Sequence, residues 1–169
     1  GGDYDLFYKM SYFHNDFENS LEFEHRDRRF LGKVVFWQDV LCGLYDKALW
    51  DKPLSSHYKF AVKEFSGKHS GEWAYLYDLA YAVMRFLYEK TYIAEWLVKA
   101  YKEDEREILA DIAEKRLPAL KAACQKLRKE HKAAWFKSYK AFCWQNMDVR
   151  YGGIEARCDT AIELLLAYL

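Results

Sequence analysis

Two pairs of side chains in this sequence have the types and spacing of known catalytic or metal-binding groups. Glu22 and His25 have the Glu-x-x-His spacing of one half of a di-iron site in a helix bundle, but that site needs a second such pair, which the sequence lacks. The adjacent acids Asp104 and Glu105 resemble the two carboxylates that flank a glycosidic bond in a cleft. Because these acids lie among other charges where a helix should begin, we expect a helix N-terminus and a solvated face instead.

The remaining candidate side chains do not form a motif with a known chemistry. The five histidines lack the spacings of zinc sites, and no serine lies in a Gly-x-Ser-x-Gly turn. There is no glycine-rich phosphate loop, and the four cysteines lack a Cys-x-x-Cys pair, so we interpret them as small buried apolar residues. We therefore expect no catalytic residue, no metal and no cofactor. The histidines are His14, His25, His57, His69 and His131, and the cysteines are Cys42, Cys124, Cys143 and Cys158.

Helical periodicity dominates the elements that position these residues. The sequence predicts an all-α fold, a single compact bundle of several helices with a long central helix, and one domain over residues 1–169. The central helix should run from Gly71 to about Lys102, and a further helix should begin near Asp104 and stop or kink at Pro118. Other helices are predicted over 53–65, over 119–139 and, from a weaker pattern, over 3–30. Residues 32–46 are ambiguous between a short buried strand at 34–37 and a helical turn at 40–44.

The C-terminal stretch from Met147 to Leu169 contains two adjacent glycines followed by a clear helix pattern. Gly152 and Gly153 indicate a sharp turn, where the backbone can come close to its neighbour. Arg157 lies at the margin of the apolar stripe of the final helix, so it should bury its stem and find an acidic or carbonyl partner. Leu166 lies on the acidic side of that helix and has no evident place in the core.

Composition excludes some partners. Lys plus Arg (26) equal Asp plus Glu (26), which argues against nucleic acid. No apolar run approaches the roughly 20 residues of a membrane span, and no signal peptide is recognisable.

Unpaired cysteines favour the cytoplasm, and the start at Gly-Gly-Asp indicates a piece of a longer protein. Aromatics make up 18% of the chain, so we expect about a third of them at an interface.

Three stretches together resemble a known family. "VVFWQDVLCGLYDKAL" (34–49), "ALKAACQKLRKEHKAAWFKSYKAF" (119–142) and "DVRYGGIEARCDTAIELLLAYL" (148–169) are similar, in order and spacing, to the C-terminal region of bacterial β-N-acetylhexosaminidases of glycoside hydrolase family 20. The likeness extends from about residue 33 to 169, and residues 1–30 match poorly. The sequence departs from the family pattern at Gln38, at Val40 and in the run "KAFCWQ".

The resemblance implies a supporting module. In that family a (β/α)₈ barrel carries the catalytic Asp-Glu pair, and this chain lacks both the barrel pattern and the His-Ile-Gly-x-Asp-Glu run. The helical region of such enzymes packs on the barrel and pairs subunits into a dimer, so the expected partners are the barrel of the parent chain and a second copy. An alternative is a stand-alone helical module that binds carbohydrate or an apolar ligand through exposed tryptophans such as Trp37, Trp73 or Trp135. The structural or docking candidates are Trp37, Asp39, Gly43, Asp46, Trp135, Asp148, Arg150, Gly152, Gly153, Arg157 and Leu166.

Overall fold

The computed structural model of the chain describes residues 35–43, 54–67 and 70–169. The helix predicted over 3–30, the Glu22–His25 pair and Asp46 lie outside these residues, as do His14 and His69. Within the described residues the protein is helical and contains no β-strand, which confirms the predicted all-α class.

Five α-helices and one π-helical turn form the described bundle. In chain order they are α1 (Leu54–Phe65), α2 (Ala74–Lys102), α3 (Arg106–Asp111), the π-helical turn (Ile112–Arg116), α4 (Leu117–Ser138) and α5 (Trp144–Tyr168). Helix α1 packs on α2, α2 on α4, and α4 on α5. None of the described helices is both long and apolar enough to cross a membrane.

Helix α2 is the predicted central helix, and buried residues occupy more than one side of it. A helix that is apolar over most of its circumference belongs inside a bundle. Its charged residues are not all solvated: Glu89 is only 2% exposed and pairs with Arg85 at 2.8 Å. Lys90 is equally buried, and its ammonium donates a hydrogen bond to the backbone oxygen of Phe36 at 2.6 Å.

The structure contradicts one detail of the prediction for residues 104–118, the role of Asp104. Asp104 does not cap a helix but has a left-handed backbone (φ 53°), and α3 begins after Glu105. Of the two outcomes expected at Pro118, a stop or a kink, the stop does not occur, because the chain stays helical through this residue. A π-helical turn directly precedes α4, and the Leu117 N–H donates to the backbone oxygen of Ile112. Proline has no N–H to donate to the preceding turn. The π turn before it, in which the hydrogen bond spans five residues, accommodates this interruption of the helical hydrogen-bond pattern.

The N-terminal described segment, 35–43, lies against α2 and α5. Val35, Phe36 and Trp37 are helical, so the short strand considered for this stretch is wrong. Val35 and Val40 are buried in the main core, and the rings of Phe36 and Phe86 are 4.8 Å apart. The apolar run therefore reflects burial, and a run this short does not distinguish a strand from a helical turn.

Candidate docking surface

The two glycines of the C-terminal stretch lie inside α5. The predicted turn at Gly152 and Gly153 is wrong, because α5 runs without interruption from Trp144 to Tyr168. The turn lies earlier, at Cys143, which has a left-handed backbone (φ 70°) and precedes the helix. Tyr151 and Ile154, on either side of the glycines, are buried. This burial offsets the helix-weakening effect of glycine, about 1 kcal/mol for each residue relative to alanine.

Both glycines face open space. A Cβ atom built on Gly152 or on Gly153 meets no atom of the described residues within 4 Å, and neither residue has a positive φ. Beside them, Val149 is 75% exposed. This part of α5 therefore presents bare backbone and one apolar side chain to the outside.

Arg157 has the acidic partner expected for it, and that partner is Asp39. The guanidinium donates two hydrogen bonds to the carboxylate, one from Nε to Oδ2 and one from an amino nitrogen to Oδ1 at 3.1 Å. Asp39 Oδ1 also accepts hydrogen bonds from the backbone N–H groups of Leu41 (2.8 Å) and Cys42 (2.9 Å). The Arg157 hydrogen bond lowers the pKa of Asp39 from 3.8 to about 2, although partial burial opposes the change. The Arg157 side chain is 41% exposed and that of Asp39 is 25% exposed, so the pair is only partly buried.

Arg150, unlike Arg157, contacts an aromatic ring and not a carboxylate among the described residues. Its guanidinium lies over the ring of Trp37, 5.1 Å from the centroid, in a cation–π contact. The Trp37 ring is in turn 5.6 Å from the ring of Tyr151, which is buried. The docking candidate Asp148 pairs with Arg128 of α4 at 2.8 Å and with neither Arg150 nor Arg157. Since residues 148 and 150 point to different sides of α5, one acid cannot serve both helix faces.

The segment 37–40 and the exposed side of α5 enclose a groove of about 270 Å³, which we call the arginine groove. It is lined by Trp37, Gln38, Asp39, Val40, Val149, Arg150, Gly153, Ile154 and Arg157. Five of the predicted docking candidates meet there, namely Trp37, Asp39, Arg150, Gly153 and Arg157. Gly43 is half-buried at the end of the described segment and does not line this groove.

A second groove of about 320 Å³ lies near the C-terminal end of α5, and its lining is almost entirely apolar. It is lined by Leu41, Leu97, Val98, Tyr101, Leu164, Leu165 and Tyr168. Leu166 does not line this groove, and its side chain is 50% exposed, as the sequence predicted. The apolar groove and the exposed leucine add a second apolar surface to this helix.

Trp135 belongs to an aromatic cluster near the C-terminal end of α4. Its indole N–H donates to the backbone oxygen of Lys140 at 2.9 Å, and its ring is 5.9 Å from that of Trp144. His131, on the same side of α4, contacts the Tyr151 hydroxyl through Nδ1 at 2.9 Å, and burial lowers the pKa of this histidine. Trp135 therefore contributes to packing, and its indole N–H already has an acceptor.

Sequence reasoning missed two groups that shape the arginine groove. The buried Lys90 ammonium donates a hydrogen bond to the backbone oxygen of Phe36, next to the groove. Val149 provides the exposed apolar edge of the groove. The available signal for Lys90 was a lysine amid the apolar residues of the predicted central helix. Val149 lies between two charged residues in the sequence, so it gave no signal.

The adjacent acids Asp104 and Glu105 differ in their surroundings, because Asp104 is exposed, whereas Glu105 is half-buried and its Oε2 has no hydrogen-bond partner among the described residues. The Asp104 side chain is 66% exposed, pairs with Arg106 at 3.3 Å and accepts a hydrogen bond from the Tyr168 hydroxyl at 3.4 Å. Its pairing with a cation and its exposure suit a solvated helix start. Within the described ranges, no three His, Cys, Asp or Glu side chains are grouped closely enough to hold a metal ion.

Comparison with protein families shows that residues 5–169 match the family described as the Glycoside Hydrolase 20C C-terminal domain. The match includes the N-terminal residues that the sequence motifs left poorly matched. A search of curated proteins finds none that matches.

Proposed function

The chain belongs to the family of Glycoside Hydrolase 20C C-terminal domains, and from this premise we propose that it is the non-catalytic helical domain of a β-N-acetylhexosaminidase. In this role it packs on the catalytic barrel of the parent enzyme and mediates dimerisation. The parent enzyme removes terminal β-linked N-acetylhexosamine from glycans.

The exposure of apolar side chains along α5 carries this proposal. Val149 is 75% exposed near one end of the helix and Leu166 is 50% exposed near the other. Single exposed apolar residues are ordinary on protein surfaces, but here they accompany two grooves and two bare glycines on one helix. Surfaces of this kind, with apolar centres and charged rims, are typical of interfaces between proteins.

The non-catalytic role has a direct test. We expect the isolated 169-residue chain to release no chromophore from an aryl β-N-acetylglucosaminide, because the Asp104 carboxylate is solvated and paired with Arg106. Hydrolysis that disappears in an Asp104→Asn, Glu105→Gln variant would instead assign catalysis to this acid pair.

Dimerisation is tested by sedimentation equilibrium of the chain over a range of concentrations. We expect a mass near twice 20.2 kDa, and we expect Leu166→Asp to weaken the dimer more than Lys129→Asp, which changes an exposed residue of α4. A chain that stays monomeric at every concentration contradicts the dimer. Equal masses for the two variants contradict the part assigned to Leu166.

Packing on the barrel is tested with a dye that fluoresces on apolar surface. The isolated chain should bind more dye per molecule than the same domain within the parent enzyme, because the barrel covers part of its apolar surface. Equal dye binding per helical domain would show that the barrel covers none of it.

A carbohydrate-binding module is the second candidate, and one observation favours it. Trp73 is 51% exposed, and its ring is 6.2 Å from that of Tyr75, which is itself covered by the Lys137 ammonium at 3.9 Å. Trp37 and Trp135 fit this role less well, since Arg150 lies over the first ring and Tyr139 lies 4.9 Å from the second. Titration with N-acetylglucosamine oligomers should give a saturable change in tryptophan fluorescence under this alternative, and Trp73→Ala should abolish it.

A further inference from the structure

The arginine groove combines an open backbone, an exposed apolar edge and a guanidinium that has no carboxylate partner among the described residues. We propose that this groove is the surface on which the catalytic barrel docks, and that the docked segment brings a carboxylate of the barrel to Arg150. The inference rests on the proposed function, because it assumes that the domain packs on a barrel.

The glycines provide the first step. Glycine is usually required where φ is positive or where another group approaches the backbone closely. Neither Gly152 nor Gly153 has a positive φ, and no atom of the described residues lies within 4 Å of the Cβ position at either. Within the described chain, therefore, neither reason for a glycine applies. A close approach by an external backbone provides the reason, since small residues let neighbouring segments pack at short distance.

The charges provide the second step. Two cations line the groove, and Arg157 is already neutralised by both oxygens of Asp39. Arg150 contacts the Trp37 ring and has no carboxylate partner among the described residues. A guanidinium held over an aromatic face still has free N–H donors at its edge, and these match a carboxylate in a bidentate geometry. The complementary group on the partner is therefore an acid that lies next to an apolar or small residue.

The rigidity of the groove provides the third step. The Lys90 ammonium holds the backbone oxygen of Phe36 at 2.6 Å, and the Asp39–Arg157 pair joins the segment 35–43 to α5. Both walls are fixed before a partner arrives, so binding needs little additional ordering. This is the expected property of a permanent joint between two domains.

Photo-crosslinking in the full-length parent enzyme tests the assignment. Val149 is replaced by the photoreactive residue p-benzoylphenylalanine, which its exposure allows without disturbing the core. Lys129, which is exposed on α4, carries the same residue as the matched control. Mixing isotopically labelled and unlabelled enzyme separates links within a chain from links between chains.

We expect a crosslink from position 149 to a peptide of the barrel and no such link from position 129. A link from position 149 to the helical domain of a second copy would overturn the inference and identify the groove as a dimer contact. Failure to crosslink from position 149, with dye binding still suppressed in the parent enzyme, would place the barrel on another face. In that case the proposed function stands and this inference fails, whereas failure of both measurements contradicts the proposed function itself.

A charge reversal tests the role of Arg150 separately. Arg150→Glu should lower the melting temperature of the isolated chain by only about 1 to 2 °C, because Arg150 is exposed and loses one cation–π contact. In the parent enzyme it should increase the rate of proteolytic separation of the two domains by about tenfold, since a like charge then faces the carboxylate of the barrel. Arg150→Lys should restore most of the resistance. Equal proteolysis of the wild-type and Arg150→Glu enzymes would overturn the assigned role of Arg150.

Discussion

The ion pair between Asp39 and Arg157 joins residues 35–43 to α5, beside the contacts of Trp37 with Arg150 and Tyr151. Arg157→Ala removes two hydrogen bonds to the carboxylate. Asp39→Ala also removes the acceptor for the backbone N–H groups of Leu41 and Cys42. We therefore expect both substitutions to destabilise the chain, and Asp39→Ala to have the larger effect.

The magnitude follows from the titration of Asp39. The Arg157 hydrogen bond, with smaller contributions from the backbone N–H groups of Leu41 and Cys42, lowers the pKa of Asp39 from 3.8 to about 2. The whole difference corresponds to about 2.4 kcal/mol at neutral pH, which is an upper limit for the part that Arg157 contributes. Because the Arg157 side chain is 41% exposed, solvent screening reduces the effect. We expect Arg157→Ala to cost about 1 to 2 kcal/mol, which for a chain of this length lowers the melting temperature by about 3 to 6 °C.

Urea unfolding of the two single variants and the double variant gives the coupling energy between the side chains. We expect a coupling of about 1 kcal/mol at pH 7. The folded-state pKa of Asp39 lies below its unfolded value, so this stabilisation is present above about pH 4 and is lost as the pH falls towards 2. Arg150→Ala is the control on the same helix, and it should cost about 0.5 kcal/mol, since only a cation–π contact is lost. An unchanged melting temperature for Arg157→Ala would refute the reasoning.

Three further predictions concern buried groups. Glu89→Ala should cost about 3 kcal/mol in urea unfolding, because the carboxylate is 2% exposed and its removal leaves a partly buried cation without its partner; a loss below about 1 kcal/mol would contradict this. Burial raises the thiol pKa of Cys124 to about 12 and of Cys158 to about 11, so a disulfide reagent should modify exposed Cys42 in the folded chain and the two buried thiols only after unfolding, as read by mass spectrometry. Burial lowers the pKa of His57 from 6.5 to about 4, so its NMR titration should be centred near pH 4, and a midpoint near 6.5 would contradict the burial of its ring. Because the unfolded chain takes up this proton near pH 6.5 and the folded chain only near pH 4, the free energy of unfolding should decline as the pH falls from 6.5 towards 4.

The helices that sequence analysis predicted well are those with the most regular apolar spacing. Leu120, Cys124 and Leu127 follow the helical period along α4, and all three are buried. Periodicity succeeds there because burial of one face determines the secondary structure. The sequence also indicated that Arg157 needs an acceptor, because a cation beside an apolar stripe has few other places to go. It could not identify Asp39 as that acceptor, since the two residues are 118 positions apart.

The predicted turn at Gly152 and Gly153 shows why local rules fail at an interface. A pair of glycines breaks a helix when nothing else orders the chain, but buried Tyr151 and Ile154 hold both sides of this pair in α5. The local preference costs about 2 kcal/mol relative to two alanines, and the chain retains it although its described residues leave the space beside both glycines open. The described residues give no structural reason for this pair, and we attribute it to the close approach of the barrel proposed above. The same features that misled the prediction of secondary structure thus indicate where a second domain can approach most closely.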